Sequence, residues 1–315
     1  MSTLQRAIEV YIYHKVSQVP SLRSNPAQRA IVQEKLLAKA DATFLWVDLI
    51  LRSIHDALGD DIVQLIDEIP SGLQPLYDRM MRDISTSTST YRDSCLVTLS
   101  IATLAYRPLH LLELRILVGL EQYEPADLER IVDMCGSFLT LLDSRIYPIH
   151  QSAKDYLASE AALDKIFPSG THAVHRSIVE RSVAAMEKAL RRDIYDLKHP
   201  GTLINEITHP PKQDPLLGVG YSCAYWIDHA CEPDKSDFPR SRRSRLVSAL
   251  KQPFGSSKKS IYMRDIINTF FLHHFLHWLE ALSLLGIITN GVFSLTKLKN
   301  NLLVSILTLN SSKSI

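Results

Sequence analysis

Apolar residues recur at helical spacing along nearly the whole chain, and this periodicity predicts a mainly α-helical protein. The first segment shows it plainly, with Ile8, Ile12 and Val16 spaced one turn apart. A second helix is predicted to start at Asn25-Pro26, because asparagine can cap a helix and proline fits its first turn. The next segment, residues 43–58, is apolar on nearly every side, so we expect it at the centre of its packing unit.

Breaks in this pattern predict three domains. Proline and glycine in residues 69–72 end one helix, and another should begin around Leu73. The polar repeat STSTST at 85–90 has no packing face, which indicates a boundary. We therefore predict domains of residues 1–84, 85–165 and 166–315, the last being a helical arm with an exposed basic linker near residues 235–259.

The middle domain has a pattern of its own. Short helices precede a pair of apolar strands, Ser137–Leu142 and Arg145–Ile149, joined at Asp143-Ser144. Three helices followed by a small β-hairpin are typical of a winged helix. After the hairpin, Ser152 and Asp155 have the spacing of a capping box, so we expect the Ser152 hydroxyl to cap the following helix.

Charge argues against nucleic acid as a partner. The chain has 35 Lys and Arg against 34 Asp and Glu, so it has no overall field for a polyanion. A winged helix can bind DNA, but residues 92–165 hold seven basic and eleven acidic side chains, a net charge of −4. We therefore expect no nucleic-acid binding.

The sequence also favours a cytoplasmic protein. Its four cysteines include no C-x-x-C pair and fit neither a disulfide framework nor a zinc site. The N-terminus lacks the apolar core of a signal peptide. The apolar run from Phe270 to Leu285 is interrupted by histidines and is too short to span a bilayer, so we expect a buried helix there and no membrane span.

Few residues are candidates for chemistry. The segment 255–260 imitates a phosphate-binding loop but lacks its second glycine. His273, His277 and Glu280 could share one helical face as metal ligands, although the neighbouring Trp278 favours ordinary packing. His150 follows the hairpin, where a side chain can reach a ligand, but a structural role is favoured from the residues alone. We expect no catalytic residues, no metal and no cofactor.

Five motifs follow one another in the chain: ATFLWV (42–47), IPSGLQPLYDRM (69–80), AYRPL (105–109), CGSFL (135–139) and IHQSAKDYL (149–157). In this order they resemble the region after the nucleotide-binding core of fungal NACHT-type STAND NTPases, the vegetative-incompatibility group that carries WD40 or ankyrin repeats. Two later motifs, at 221–229 and 275–286, resemble the helical region before those repeats. The resemblance implies that residues 1–84 are a helical lid-like unit and residues 85–165 the winged helix of a NACHT module.

The resemblance also implies a role for His150. In relatives with a complete NTPase, a histidine at this position is expected to approach the β-phosphate of bound ADP and to help hold a closed, inactive state. The related motif of plants and animals has aspartate after this histidine, whereas this chain has Gln151.

The sequence shows neither a P-loop nor a repeat period. We therefore expect a non-catalytic signalling fragment that lacks both the P-loop and the C-terminal repeats and acts through protein partners, with an intact NACHT protein as one candidate. Two alternatives stay open: a winged-helix nucleic-acid-binding protein, and a truncated gene product without independent function.

Overall fold

The computed structural model describes residues 3–40, 43–54, 59–198, 211–232 and 256–311. Within these ranges the chain forms fifteen α-helices and three short strands, which confirms the prediction of a mainly α-helical protein. The first nine helices and first strand are α1 (Thr3–Gln18), α2 (Pro20–Arg23), α3 (Pro26–Lys39), α4 (Phe44–Ser53), α5 (Gly59–Glu68), α6 (Leu73–Thr86), α7 (Arg92–Leu104), β1 (Leu109–His110), α8 (Leu111–Val118) and α9 (Pro125–Met134). After a 3₁₀ turn (Gly136–Phe138) come β2 (Leu139–Leu142), β3 (Arg145–Pro148), α10 (Gln151–Leu157), α11 (Glu160–Ile166), α12 (Thr171–Ala189), α13 (Gly220–Ala230), α14 (Ser256–Leu284) and α15 (Ile288–Ser311).

The chain packs as two compact units that interleave along the sequence. The first unit comprises Met1–Arg92, Gly136–Phe138 and Ile149–Ala162. The second unit comprises the segments between and after these. Helix α10 thus packs against α6 inside the first unit. The predicted domain boundaries near residues 84 and 165 stay predictions.

The core of the first unit is built on one face of α1 and on α3, α4 and α5. Ile12, Val16 and Leu36 are fully buried, as their helical spacing requires. Trp46 in α4 is also fully buried, and its indole N–H donates to the carbonyl oxygen of Pro70 at 3.1 Å. The apolar α4 segment is therefore central to this unit, as predicted.

Helix starts in this unit follow local signals in the sequence. Asn25 caps α3 through a hydrogen bond from the Gln28 N–H to its side-chain oxygen, 3.1 Å long. Helix α6 begins at Leu73 after Gly72, whose φ of +82° lies in the left-handed region that glycine adopts without strain. Both starts agree with the sequence prediction.

A lysine from α3 closes the C-terminal end of α5. Lys39 Nζ donates to the carbonyl oxygens of Ile66, Asp67 and Ile69 at 2.7, 2.8 and 2.9 Å. The last carbonyls of a helix lack partners within the helix, and a positive charge at that end also interacts favourably with the helix dipole. One ammonium group therefore satisfies three backbone acceptors and joins α3 to α5.

The second unit contains a three-stranded antiparallel sheet in the order β1-β3-β2. Strands β2 and β3 form the predicted hairpin, with Leu142 opposite Arg145. Asp143 and Ser144 at its turn both have positive φ, of 48° and 59°, which suits the twist of a two-residue hairpin turn. Strand β1 was not predicted because its two residues are too few to show an alternating pattern.

The remaining core of the second unit is formed by α12, α13, α14 and α15. Trp226 in α13 packs edge-on against Trp278 in α14, with ring centroids 6.2 Å apart. The indole N–H of Trp278 donates to the carbonyl oxygen of Cys223 at 2.9 Å. The prediction of a buried helix holds for one side of α14 only, since Leu272 and Leu276 on its outer face are 80% and 75% exposed.

Two further expectations concern the arm. The predicted exposed linker near 235–259 lies outside the described residues, apart from residues 256–259, which belong to the first turn of α14. None of the helices that the structure describes is both long enough and apolar enough to cross a bilayer.

The Lys39 contacts generate a stability prediction. Substitution Lys39→Met keeps the aliphatic stem but leaves three carbonyl groups without their donor, so we expect the free energy of unfolding to fall by about 2 kcal/mol. Equilibrium urea unfolding followed by circular dichroism measures this change.

Lys35→Met is the matched control, because Lys35 lies one turn earlier on α3 and forms a surface ion pair with Asp67. We expect a loss of no more than about 0.5 kcal/mol there. Equal losses in the two variants would contradict the assignment of Lys39 as the residue that closes α5.

Candidate functional site

His150, the candidate from the sequence, lies at the N-cap of α10 and is exposed. Its Nδ1 accepts a hydrogen bond from the backbone N–H of Ser152 at 3.1 Å. The helix therefore begins one residue after His150, and Ser152 is its second residue. The expectation that the Ser152 hydroxyl caps this helix is wrong, because the imidazole already occupies the capping position.

Ser152 instead connects His150 to the interior of the first unit. Its Oγ lies 2.9 Å from His150 Nδ1 and 3.0 Å from the hydroxyl oxygen of Tyr77. Tyr77, in α6, is 1% exposed, and burial raises the pKa of its phenol, so this hydroxyl keeps its proton at neutral pH. The three side chains form a continuous path from the core to the surface.

An aromatic cluster holds this path in place. The rings of Tyr77, Phe138 and Tyr156 lie within 5.3 to 5.7 Å of one another, centroid to centroid. Tyr156, in α10, donates its hydroxyl to Asp78 Oδ1 at 2.9 Å. Burial, and next this bond to a carboxylate, raise the pKa of Tyr156. The cluster and the Asp78 contact fix α10 on α6.

Gln151, which stands where the related motif has aspartate, faces along its own helix. Its Nε2 donates to Asp155 Oδ1 at 2.7 Å. The pair spans one helical turn and leaves His150 without a bond to its sequence neighbour. The Gln151 side chain therefore bonds within α10.

A second polar cluster, here called the Glu113 network, lies inside the second unit. Glu113 is 3% exposed and makes a two-bond ion pair with Arg107, each N–O distance being 2.7 Å. Its carboxylate also accepts from the backbone N–H groups of His110 and Tyr221, at 2.9 and 2.8 Å. The charge is thus fully hydrogen-bonded, as a buried carboxylate requires.

The Glu113 network continues through Tyr221 to a pair of histidines. Tyr221 O–H lies 2.8 Å from His229 Nε2, and His229 Nδ1 lies 2.7 Å from His175 Nδ1. Burial is the main reason why the pKa of His229 falls to about 3, and repulsion from His175 and then Lys297 adds to it. His229 is therefore neutral at physiological pH and joins α13 to α12.

The other candidates from the sequence do not come together as sites. Glu280 accepts hydrogen bonds from the backbone N–H groups of Asp193 and Ile194, while His273 points to solvent on the same helix. Within the described ranges no three metal-type ligands converge. The four cysteines are buried free thiols. Of the P-loop-like segment 255–260, the described part belongs to α14.

Sequence reasoning missed both Tyr77 and Glu113. Tyr77 stands 75 positions before Ser152, and nothing in the spacing of the two motifs indicates that their side chains meet. Glu113 forms a capping box with His110, but the sequence pattern of that box has Ser or Thr in place of His110, so the usual signal was missing.

Comparison with curated proteins finds similarity to vegetative incompatibility protein HET-E-1 of Podospora anserina, at 34% identity over 315 residues. The chain is a relative of that fungal protein. The aligned region covers 95% of this chain but 22% of HET-E-1, so the chain spans about a fifth of its relative's length. No family model matches the chain, and no solved structure matches it. This similarity supports a fungal relative of the HET type, while the NACHT assignment and the winged helix stay predictions.

The N-cap role of His150 can be separated from any role of its outer edge. His150→Ala removes the acceptor for the Ser152 N–H, and we expect it to lower the free energy of unfolding by about 1 kcal/mol. His150→Asn supplies a new capping acceptor and should stay within a few tenths of a kcal/mol of the parent. Urea unfolding of the parent, His150→Ala and His150→Asn proteins measures these free energies. Equal losses of unfolding free energy in both variants would exclude capping by the imidazole.

The buried His229 predicts a dependence of stability on pH. Its pKa lies below its usual value of 6.5, so only the unfolded chain takes up this proton as the pH falls below about 6.5. Between about pH 7 and pH 5, we expect the free energy of unfolding of the parent chain to drop by about 2 kcal/mol more than that of the His229→Gln variant. Glutamine can still accept from Tyr221 and donate to His175 but does not titrate.

His172→Gln is the control, because His172 is exposed on the same helix as His175. The free energy of unfolding of the His172→Gln variant should change with pH as that of the parent does. A His229→Gln protein with the parent's full pH dependence would show that this histidine is not the group responsible.

Proposed function

We propose that this chain is a non-catalytic regulatory part of a NACHT-type STAND signalling protein and that it acts through protein contacts. The observation that carries the proposal is the arrangement of His150: one ring nitrogen is bound inside the fold, and the residue is exposed at the start of α10. The similarity to HET-E-1 and the order of the motifs support the same assignment.

In this proposal His150 reads the state of a nucleotide held by a NACHT core. The imidazole donates one hydrogen bond to an anionic phosphate oxygen, and a bond to a charged group contributes about 1.5 to 3 kcal/mol. Such a bond present in only one of two conformations shifts their ratio by tenfold or more. The chain itself needs no bond-making chemistry, and we infer that it is not an enzyme.

The partner is inferred to be protein, with an intact NACHT protein as the first candidate. Residues 92–165 carry a net charge of −4, which opposes a DNA-binding role for the hairpin region. Four buried free thiols fit a reducing compartment, and on that ground we propose a cytoplasmic location.

The test uses the purified chain, a fluorescent ADP analogue and the nucleotide-binding core of a NACHT protein supplied in trans. The chain alone should not bind ADP or ATP with micromolar Kd. Added to the ADP-loaded core, it should slow release of the analogue about tenfold, the effect of one hydrogen bond to a phosphate. Micromolar nucleotide binding by the chain alone would overturn the non-catalytic assignment.

The variants make the test specific for His150. His150→Asp keeps a capping acceptor for α10 but places a negative charge beside the phosphate, so the slowing should disappear. His172→Asp, at another exposed position, should slow release as the parent does. Release unaffected by the parent chain would count against the NACHT partner, and salt-dependent binding to duplex DNA would favour the nucleic-acid alternative.

A further inference from the structure

The hydrogen bonds around His150 fix which of its nitrogens carries the proton. A backbone N–H can only donate, so the Ser152 N–H at 3.1 Å requires a lone pair on His150 Nδ1. A neutral imidazole with a lone pair on Nδ1 carries its proton on Nε2. The ring is therefore the Nε2–H tautomer.

The same backbone group also orients both hydroxyls. Because Nδ1 is an acceptor, the Ser152 hydroxyl 2.9 Å away must be donating to it. Ser152 Oγ then has its lone pairs free to accept, and the Tyr77 hydroxyl at 3.0 Å donates to it. The direction of the whole path is thus Tyr77 O–H to Ser152 Oγ, and Ser152 O–H to His150 Nδ1.

The outer nitrogen is left for a ligand. Among the residues that the structure describes, none forms a hydrogen bond with His150 Nε2, and His150 is exposed. An N–H group held outward at a fixed angle suits an acceptor, above all a negatively charged oxygen. The other tautomer would present a lone pair there and would repel such a group.

We propose that Tyr77 and Ser152 are positioning residues that hold His150 as the Nε2–H tautomer, with this N–H directed to an anionic oxygen of the phosphate type. The ligand class rests on the function proposed above, whereas the tautomer rests on the hydrogen bonds alone. Each of the two donors biases the tautomer equilibrium by up to roughly fivefold, and because they share the single lone pair of Nδ1 their joint effect is smaller than the product of the two.

The tautomer is read directly by nitrogen NMR. The full chain is labelled with ¹⁵N-histidine and recorded about two pH units above the usual histidine pKa, where the rings are neutral. His150→Asn identifies the signals of His150 among the twelve histidines. We expect a protonated Nε2 and an unprotonated Nδ1 in the parent chain, and a predominantly protonated Nδ1 would overturn the proposal.

Three variants test the path itself. Ser152→Ala removes the hydroxyl donor but keeps the backbone N–H, so the Nδ1–H tautomer should rise by up to roughly fivefold, and Ser152→Thr should restore the parent signals. Tyr77→Phe should shift the signals in the same direction by a smaller amount, since the Ser152 hydroxyl is then free to turn away from Nδ1. Unchanged tautomer populations in both Ser152→Ala and Tyr77→Phe would contradict positioning.

Tyr156→Phe is the matched control for Tyr77→Phe. It removes one hydroxyl from the same aromatic cluster, but that hydroxyl bonds to Asp78 and lies outside the path. Its thermal stability should fall while the His150 signals stay as in the parent. Equal shifts in the two tyrosine variants would show that general loosening, and not the hydroxyl path, moves the tautomer.

A failure of the positioning proposal can be distinguished from a failure of the proposed function, because the NMR measurement needs no nucleotide. If the tautomer responds as expected but the chain does not slow ADP release from a NACHT core, positioning holds and the ligand class is wrong. If positioning holds and release is slowed, Ser152→Ala should weaken the slowing and Tyr156→Phe should not.

Discussion

The first backbone N–H groups of a helix need acceptors, and in this chain that requirement decides how two histidines are used. His110 Nδ1 accepts from the Leu112 N–H at 3.2 Å, and His150 Nδ1 accepts from the Ser152 N–H at 3.1 Å. Each histidine directly precedes the first residue of a helix, whose first four N–H groups have no acceptor within the helix. Because the backbone group can only donate, each ring must keep its Nδ1 unprotonated. A local requirement of the helix thus sets the chemistry of the side chain.

The two sites differ in what surrounds the ring. At His110 the capping box is completed by Glu113, whose carboxylate also binds Arg107 and the Tyr221 N–H. Breaking such a buried, fully bonded charge leaves its partners unpaired, which costs several kcal/mol. The Glu113 network therefore fixes the packing of α8 against α13. At His150 the inner nitrogen is bound in a similar way, but the outer nitrogen has no described partner and the residue is exposed.

This difference is why His150, rather than the larger Glu113 network, is the better candidate for a ligand contact. A closed network in which every group is bonded has no spare donor and serves as structure. An exposed imidazole with one nitrogen fixed has one spare donor in a defined direction. The chain spans about a fifth of the length of HET-E-1. The proposed role of His150 depends on a nucleotide-binding core, which is not among the residues described above.

Much of this organisation could be derived from the sequence because it depends on neighbours along the chain. The helical periodicity, the Asn25 cap, the break before Leu73 and the Asp143-Ser144 turn all reflect contacts within a few residues, and each is present in the structure. The position of His150 between the hairpin and α10 was also predicted, because it is a local feature, while its role toward a ligand stays a prediction. The Ser152 cap was assigned wrongly, since His150 and Ser152, two positions apart, can both supply a capping acceptor and the sequence does not rank them.

What only the tertiary structure decided are the contacts between residues far apart in sequence. Tyr77 and Ser152 belong to motifs that the sequence could place in order but not in space, and their hydroxyls meet only because α10 packs on α6. The pairing of His175 with His229 and the use of Lys39 on α5 arise in the same way. The sequence specifies which groups are available as donors and acceptors. Packing of the helices determines which of them meet, because a hydrogen bond requires its two atoms to lie within about 3 Å.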